Sequence, residues 1–346
     1  MGTVFEREIR EQPEVLARQL ERGRAAVEAV AEKIRAADPA FVVLAARGSS
    51  DNAARYAQYL LGINDGLTVA LAAPSILTVY GARPSFGDAL VVGISQSGES
   101  PDIVTVLEEA KRQGAVTVAI TNAPTSPLAR AADGCITLQA GEEKAVAASK
   151  TYTAQLHAVA MLSAALSGDE ARWAELEALP DRVAGAIDLS ADVRPEAARF
   201  RYARRFVVIG RGLSYASAHE IALKLEETSY VLAQPYSSAD FRHGPIAMVD
   251  RELPIVLIAP TDRASGDVVD LIDALVAREA ELVVISDRED VLARARVPLR
   301  LPAGVPEWLS PIVSVVPGQL WALALALGAG LDPDAPRGLH KVTRTR

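Results

Sequence analysis

Three short apolar runs occur twice along the chain, in the same order and roughly 165 residues apart. Phe41-Val42-Val43-Leu44-Ala45 is echoed by Phe206-Val207-Val208-Ile209-Gly210. Leu90-Val91-Val92-Gly93-Ile94 is echoed by Pro254-Ile255-Val256-Leu257-Ile258, and Val116-Thr117-Val118-Ala119-Ile120 by Leu282-Val283-Val284-Ile285. Runs this short and this apolar suit strands buried on both faces, as in a parallel sheet. Helix-compatible stretches lie between them. Ile103 to Gln113 is the clearest, with Gly114 as its stop signal. Strand alternating with helix predicts the α/β class: two tandem, doubly wound, mostly parallel sheets flanked by helices. One match would mean little, but three at one spacing point to a duplicated domain.

The expected organisation is a helical segment over 1–36, a first domain over 37–180, a second over 197–331, and a tail over 332–346. In the opening segment Ile9, Val15, Leu16, Leu20, Val27, Val30 and Ile34 recur with helical period. Pro180 to Glu196 is polar with two prolines and reads as the linker. Leu309 to Leu331 carries no charge and is long enough to span a bilayer. Pro311, Pro317, Gly318 and Gln319 interrupt it, which predicts a short buried strand or turn followed by a buried helix. No membrane partner is expected.

Composition narrows the function. The 346 residues include 36 Lys+Arg against 44 Asp+Glu, a formal charge of −8. Non-specific nucleic-acid binding needs a basic face, so no nucleic-acid partner is expected. Cys135 is the one cysteine, which excludes an intrachain disulfide and a cysteine-pair zinc site. The histidines, at 157, 219, 243 and 340, have no metal-ligand spacing. Neither a metal nor a cofactor is expected. The opening Glu6-Arg7-Glu8-Ile9-Arg10-Glu11 inverts the order of a signal peptide. With a single thiol, this leads to the expectation of a cytoplasmic protein.

Two loops carry phosphate chemistry. Ser95-Gln96-Ser97-Gly98-Glu99-Ser100-Pro101 follows a buried strand and opens a helix, with Ser100 at the cap and Pro101 in the first turn. Hydroxyls, a flexible glycine and free N–H groups at a helix N-terminus suit a phosphate, although simple capping explains the same residues. Arg47-Gly48-Ser49-Ser50-Asp51 occupies the same kind of position after its own strand, and two such loops converge on one crevice. Neither has the Walker pattern or the dinucleotide glycine triplet, so a phosphorylated small molecule fits better than a nucleotide. The second half opens alike, with Gly210-Arg211-Gly212-Leu213-Ser214, but its next strand leads into Pro260-Thr261-Asp262-Arg263, which has no hydroxyl cradle. One phosphate site, in the first domain, is expected.

Three further segments are ambiguous alone. Glu220, Lys224 and Glu227 share one face of a helical run, which in an average helix is a solvated ion-pair ladder. His243 stands in a His-Gly-Pro turn, and a loop histidine is often surface decoration. Asp334-Ala335-Pro336-Arg337-Gly338-Leu339-His340-Lys341 reads alone as a solvated basic end.

Together these segments resemble one family. Glu8-Ile9-Arg10-Glu11-Gln12-Pro13, Ser95 to Ser100, Ser149 to Leu156, Gly210 to Gly212, Ala222 to Leu225, Glu227 to Tyr230, His243-Gly244-Pro245 and Asp334 to Lys341 follow one another as in the isomerase half of glucosamine-6-phosphate synthase. That half is a tandem pair of sugar isomerase (SIS) domains, and the resemblance covers nearly the whole chain. It implies that Ser49, Ser50, Ser95, Gln96, Ser97 and Ser100 hold a sugar phosphate. It implies Glu227 as the base moving a proton between C1 and C2, assisted by Lys224, and His243 as the ring-opening group, supplied by the neighbouring subunit. Lys341 would form a Schiff base with the ketose carbonyl. A homodimer with shared active sites follows from the same resemblance.

The residue types suit that chemistry: one carboxylate over the C1–C2 edge, an amine to form an imine, and a phosphate anchor to fix the reacting carbons. Four positions, in three segments, depart from the synthase. Arg47-Gly48-Ser49-Ser50 stands where it has Cys-Gly-Thr-Ser, and looks like the glutaminase-free branch. Ala148 stands for a pocket serine, and His340 for an alanine before the lysine. Without the synthase's glutaminase domain, the expected reaction is reversible deamination of glucosamine 6-phosphate to fructose 6-phosphate and ammonia. The alternatives are loss of water from N-acetylglucosamine 6-phosphate, a ketosamine-6-phosphate deglycase, and a sugar-phosphate sensor.

Overall fold

The six recurring apolar runs form inner strands of two parallel sheets, because a strand covered on both faces gains from apolar side chains at every position. A computed structural model describes residues 2–191 and 193–341. The chain divides into two compact units. One holds residues 14–143 and 150–178 with the tail from His340. The other holds the residues up to Pro13, Lys144–Ser149 and Leu179–Leu339.

In the first unit the strands are β1 (Phe41–Ala45), β2 (Val69–Leu71), β3 (Ala89–Ile94), β4 (Val116–Thr121) and β5 (Gly134–Thr137). They lie in the order β2-β1-β3-β4-β5 with all neighbours parallel. β3 is central and buried throughout, whereas β2 at the edge is part-exposed. Val43, Val91, Val106, Leu107 and Leu128 pack into one core. Burying a large aliphatic side chain of this kind contributes roughly 1.5–3 kcal/mol. From β1 the chain passes to β2, and from β3 to β4 on the opposite side. The strand order therefore reverses between β1 and β3, and the loops beyond their carboxyl ends open a crevice. Those loops contain residues 46–48 and 95–100.

The second unit repeats this topology. Its strands β6 (Arg205–Gly210), β7 (Leu232–Ser237), β8 (Pro254–Ile258), β9 (Glu281–Ser286) and β10 (Val297–Arg300) lie in the order β7-β6-β8-β9-β10, again parallel. The helix Ser214–Ser229 follows β6 and packs against the helix Ser310–Gly328.

Two expectations are refined. Of the expected strand or turn and buried helix, a 3-10 turn, Glu307–Leu309, leads straight into the buried helix Ser310–Gly328. Pro311 sits in the first turn, where no N–H is needed. Pro317 forfeits one backbone hydrogen bond, but every residue from Ser310 to Ala326 is buried, and packing outweighs that loss. The segment Glu307–Gly328 is long and apolar enough to cross a membrane, and 89% of its apolar window is buried inside the protein. The stretch expected as a linker forms the helices Leu179–Leu189 and Arg194–Ala198. Both prolines fall in first turns, and Val183, Ala186 and Ile187 give the first helix a buried face.

The opening segment is two helices, Val4–Arg10 and Gln12–Ala37, and the division falls after Pro13. The Asp334 carboxylate accepts from the Val4 and Phe5 N–H groups at 2.6 and 2.8 Å, and the Gln12 amide donates to the Gln319 side chain at 2.9 Å. Of the tail, 342–346 lie outside the described residues.

Candidate functional site

In the first unit both hydroxyl-rich loops sit at the switch point between β1 and β3. Gly48 precedes the helix Ser49–Asn64 with φ +54, a left-handed conformation that a β-carbon would strain. Arg47 Nε donates to Asp102 Oδ2 at 2.9 Å, tying the first loop to the start of the helix Pro101–Arg112. Asp102 is fully buried and the Arg47 side chain is half-exposed, so the guanidinium keeps an open face. Ser50 is buried and accepts from Gln155 Nε2 at 2.9 Å, while Ser49 beside it is half-buried.

The second loop is shaped by its own hydroxyls. Ser95 Oγ accepts from Gly98 N at 3.1 Å, and Ser97 Oγ from Glu99 N at 3.3 Å. The Gln96 carbonyl accepts from Asn122 N at 3.1 Å. Gly98 has φ +64, and a β-carbon there would lie 2.1 Å from Ser126 Oγ. Only glycine fits that turn. Ser100 caps the following helix by backbone position alone, without a side-chain hydrogen bond, and is half-buried. Its hydroxyl is not committed to the cap, where sequence reasoning had placed it.

In the second unit the ladder Glu220–Lys224–Glu227 is not a solvated face. Glu220 and Lys224 have no exposed side-chain surface, and Glu227 retains 21%. Lys224 Nζ lies 2.5 Å from Glu227 Oε2 and 3.3 Å from Glu220 Oε1. A lysine withdrawn from water needs such neutralisation, and two carboxylates one turn either side supply it. Glu227 is the member of the three with open surface. Tyr230 ends this helix in a left-handed conformation, φ +54. Its hydroxyl accepts from Arg337 N at 2.9 Å, and the Arg337 guanidinium stacks 4.0 Å from its ring centroid. Beside Glu227, Glu226 is held above the usual carboxylate range by burial first, and by the Glu227 charge.

His243 ends the short helix Ser238–Arg242 and is exposed; its N–H donates to Asp240 O at 3.1 Å. Ala148 is half-buried in the segment 144–149, whose Lys144 and Ala145 N–H groups are held by the buried Glu8 carboxylate at 2.6 and 3.1 Å. At the tail, His340 is exposed, whereas Lys341 belongs to the first unit and pairs with Glu143 at 2.6 Å. The tail is therefore not a solvated basic end. Each unit thus gathers its own set: the two hydroxyl-rich loops and Lys341 in one, and Glu220, Lys224 and Glu227 in the other.

The SIS domain matches this chain twice, over residues 37–165 and 199–329. The chain belongs to the SIS-domain family. This SIS protein is homologous to the isomerase half of glutamine–fructose-6-phosphate aminotransferase. The enzyme of Thermococcus kodakarensis is 36% identical over 349 residues, covering 97% of this chain and 57% of that protein. The chain spans about half the length of the curated relatives it matches. A candidate phosphosugar isomerase from Silicibacter pomeroyi DSS-3 superposes with a TM-score of 0.87 at 38% identity, over 96% of this chain and 100% of that one. The C-terminal domain of glucosamine-fructose-6-phosphate aminotransferase from Francisella tularensis gives 0.87 at 28% identity, over 97% and 99%.

Sequence reasoning missed four supporting residues. Asp102 reads as an ordinary first-turn acid, and Gln155 as one polar residue inside an apolar helix. Glu143 and Thr151 stand one on each side of the Ser149-Lys150 step, and nothing local links them to a lysine 198 positions away from Glu143. In Gln155 the available signal was a large polar side chain on a helix buried almost throughout.

Proposed function

We propose that this SIS protein converts glucosamine 6-phosphate and water to fructose 6-phosphate and ammonia, reversibly. Ser49, Ser50, Ser95, Gln96, Ser97 and Ser100 hold the phosphate, and His243 assists ring opening. Glu227 takes the C2 proton of the open aldehyde and returns it at C1, which moves the double bond to C2 and leaves an imine there. Water hydrolyses the imine and releases ammonia. In reverse, Lys341 forms an imine with the ketose carbonyl, ammonia displaces the lysine nitrogen from C2, and the free imine left on the sugar makes the C1 proton easier to remove. Lys224, 2.5 Å from Glu227 Oε2, fixes the position of that carboxylate.

The observation that carries this reading is the buried Lys224, 2.5 Å from a carboxylate with open surface. Such a group is positioned for proton transfer rather than for stability alone, because burying the ammonium costs several kcal/mol before pairing. Arg47, which stands where the synthase has cysteine and is anchored by Asp102, supports the glutaminase-free branch.

The test is a paired incubation with glucosamine 6-phosphate and N-acetylglucosamine 6-phosphate, following ammonia and product mass. Ammonia and a hexose phosphate from the free amine are expected. Loss of one water from the acetylated sugar without ammonia would instead establish elimination. Glu227→Gln is expected to lower kcat about 10²–10⁴-fold with KM within a few-fold, as for removal of a general base. Full turnover by that variant would remove Glu227 from its role.

A further inference from the structure

His243 is exposed, so the direction of its imidazole is set by the backbone that carries it. That backbone is one turn of helix, Ser238–Arg242, with Ser237 as its N-cap. A single turn does not hold itself in water, because nucleating a helix costs more than one turn of hydrogen bonds returns. Tertiary contacts place it instead. Phe241 is fully buried in the core with Ile255 and Leu257, its ring 5.4 Å from that of Tyr236. One such pin leaves the turn free to pivot.

Side-chain ties at both ends remove that freedom. At the N-terminal end Arg211 Nη1 donates to Ser237 Oγ at 3.1 Å, and Ser238 Oγ donates to Asp267 Oδ2. At the C-terminal end Arg242 Nη2 donates to the Asp267 carbonyl at 2.9 Å. The Asp267 carboxylate also lies 3.9 Å from Arg211 Nε and 4.0 Å from Arg242 Nε. Without it the two guanidiniums would meet as like charges. Asp267 stands in the first turn of the helix Ser265–Val276, where an acid commonly serves only the helix dipole. Here it also reaches both ends of the turn that precedes His243, and all of these residues belong to the second unit.

We propose that Asp267 is a positioning residue for His243: with Arg211 and Arg242 it fixes the one-turn helix and so aims the imidazole at the closed sugar ring. The inference rests on the reading of His243 as the ring-opening group. Opening needs no co-reactant. The C2 hydroxyl of the closed ketose loses its proton, the carbonyl forms as the C2–O5 bond breaks, and O5 gains a proton. An imidazole aimed at this edge carries the proton from one oxygen to the other.

The test uses the full chain and compares two ketoses in the aminating direction, with ammonia. Fructose 6-phosphate closes through O5, since O6 carries the phosphate. Its 5-deoxy analogue has no O5, stays open, and needs no ring-opening group. In Asp267→Ala, turnover of fructose 6-phosphate is expected to fall about tenfold or more, as when a reacting group is misplaced by a fraction of an ångström or more. Turnover of the analogue should stay within about twofold of wild type, and KM for both within about threefold, because the hydroxyl-rich loops are untouched. Asp267→Asn keeps an acceptor for Ser238 without the charge and should fall between Asp267→Ala and wild type. His243→Ala should lose turnover of fructose 6-phosphate and keep that of the analogue. A residue serving stability alone would move both substrates together.

Equal losses on the two substrates in Asp267→Ala, or wild-type rates on both, overturn the positioning role alone. If His243→Ala loses both substrates equally, the ring-opening reading falls and this inference with it. If the wild-type protein aminates neither ketose, the proposed reaction falls and takes the inference with it. Should Asp267→Ala lose the wild-type melting transition, Asp267→Asn decides: a loss confined to fructose 6-phosphate supports the role, and a loss shared by both substrates, or none, overturns it.

Discussion

His157 lies without exposed surface in the helix Lys150–Ser167, its Nδ1 2.9 Å from the Gln19 carboxamide oxygen. Gln19 Nε2 donates to Ala154 O at 3.0 Å, which fixes that amide's orientation and makes His157 the donor. Burial lowers the imidazole from 6.5 to about 3. A base with a depressed folded pKa binds fewer protons folded than unfolded. Its contribution is therefore intact above pH 6.5 and is lost progressively as pH falls toward 3. Between pH 7 and pH 5 the loss is about 2 kcal/mol. Asp65, raised by burial to about 6, acts oppositely in the same unit, since folding favours its protonated form as pH falls through that value. His157→Asn keeps a donor for Gln19 and removes the titration. Urea unfolding at both pH values should show the wild type losing about 2 kcal/mol more than the variant, because Asp65 is common to both. Parallel pH curves would exclude His157 as the source.

At the scale of elements, the helix that carries Glu227 is held by a glycine contact. A β-carbon on Gly318 would lie 2.3 Å from Ile221 Cδ1, so the helix Ser310–Gly328 approaches Ser214–Ser229 as closely as glycine allows. Ser217 Oγ donates to Pro311 O at 3.1 Å near one end of the contact. Gly318→Ala is expected to destabilise the second unit by about 1–3 kcal/mol through overpacking. Ile221→Ala removes the atoms in the way, so the double variant should cost less than the sum of the singles, with a coupling above about 0.5 kcal/mol. Simple additivity in thermal melts would place the strain elsewhere. This contact also explains what the sequence concealed. Pro317 and Gly318 look like helix breakers because their local cost is visible and the fully buried surroundings that offset it are not. The inner strands were legible, since burial on both faces writes itself as a continuous apolar run. The residues around Arg47 and Lys341 were legible only as motifs. Their partners Asp102 and Glu143 are ordinary acids until the fold brings them within 2.9 and 2.6 Å.

For the whole molecule, the assignment of His243 makes a claim about assembly. His243 is exposed, and it is proposed to complete the site of a second copy in a homodimer. Two-fold symmetry then fixes the arithmetic of mixed variants. Glu227→Gln and His243→Ala each inactivate both sites of their own homodimer. When the two are mixed and allowed to exchange subunits, half of the dimers carry one copy of each. In such a dimer one site holds both damaged residues and the other holds neither. Recovered activity should therefore approach about one quarter of wild type at equal mixing. It should appear at the rate of subunit exchange, followed by mass spectrometry with one variant isotope-labelled. If exchange is complete and activity stays at the level of the inactive parents, His243 serves the chain that carries it. The same null result with no exchange is resolved by co-expressing the two variants, in which mixed dimers form as the chains fold. Recovery there assigns each site to residues of two subunits, and the exposed His243 becomes the reason that one copy of this chain is not a complete enzyme.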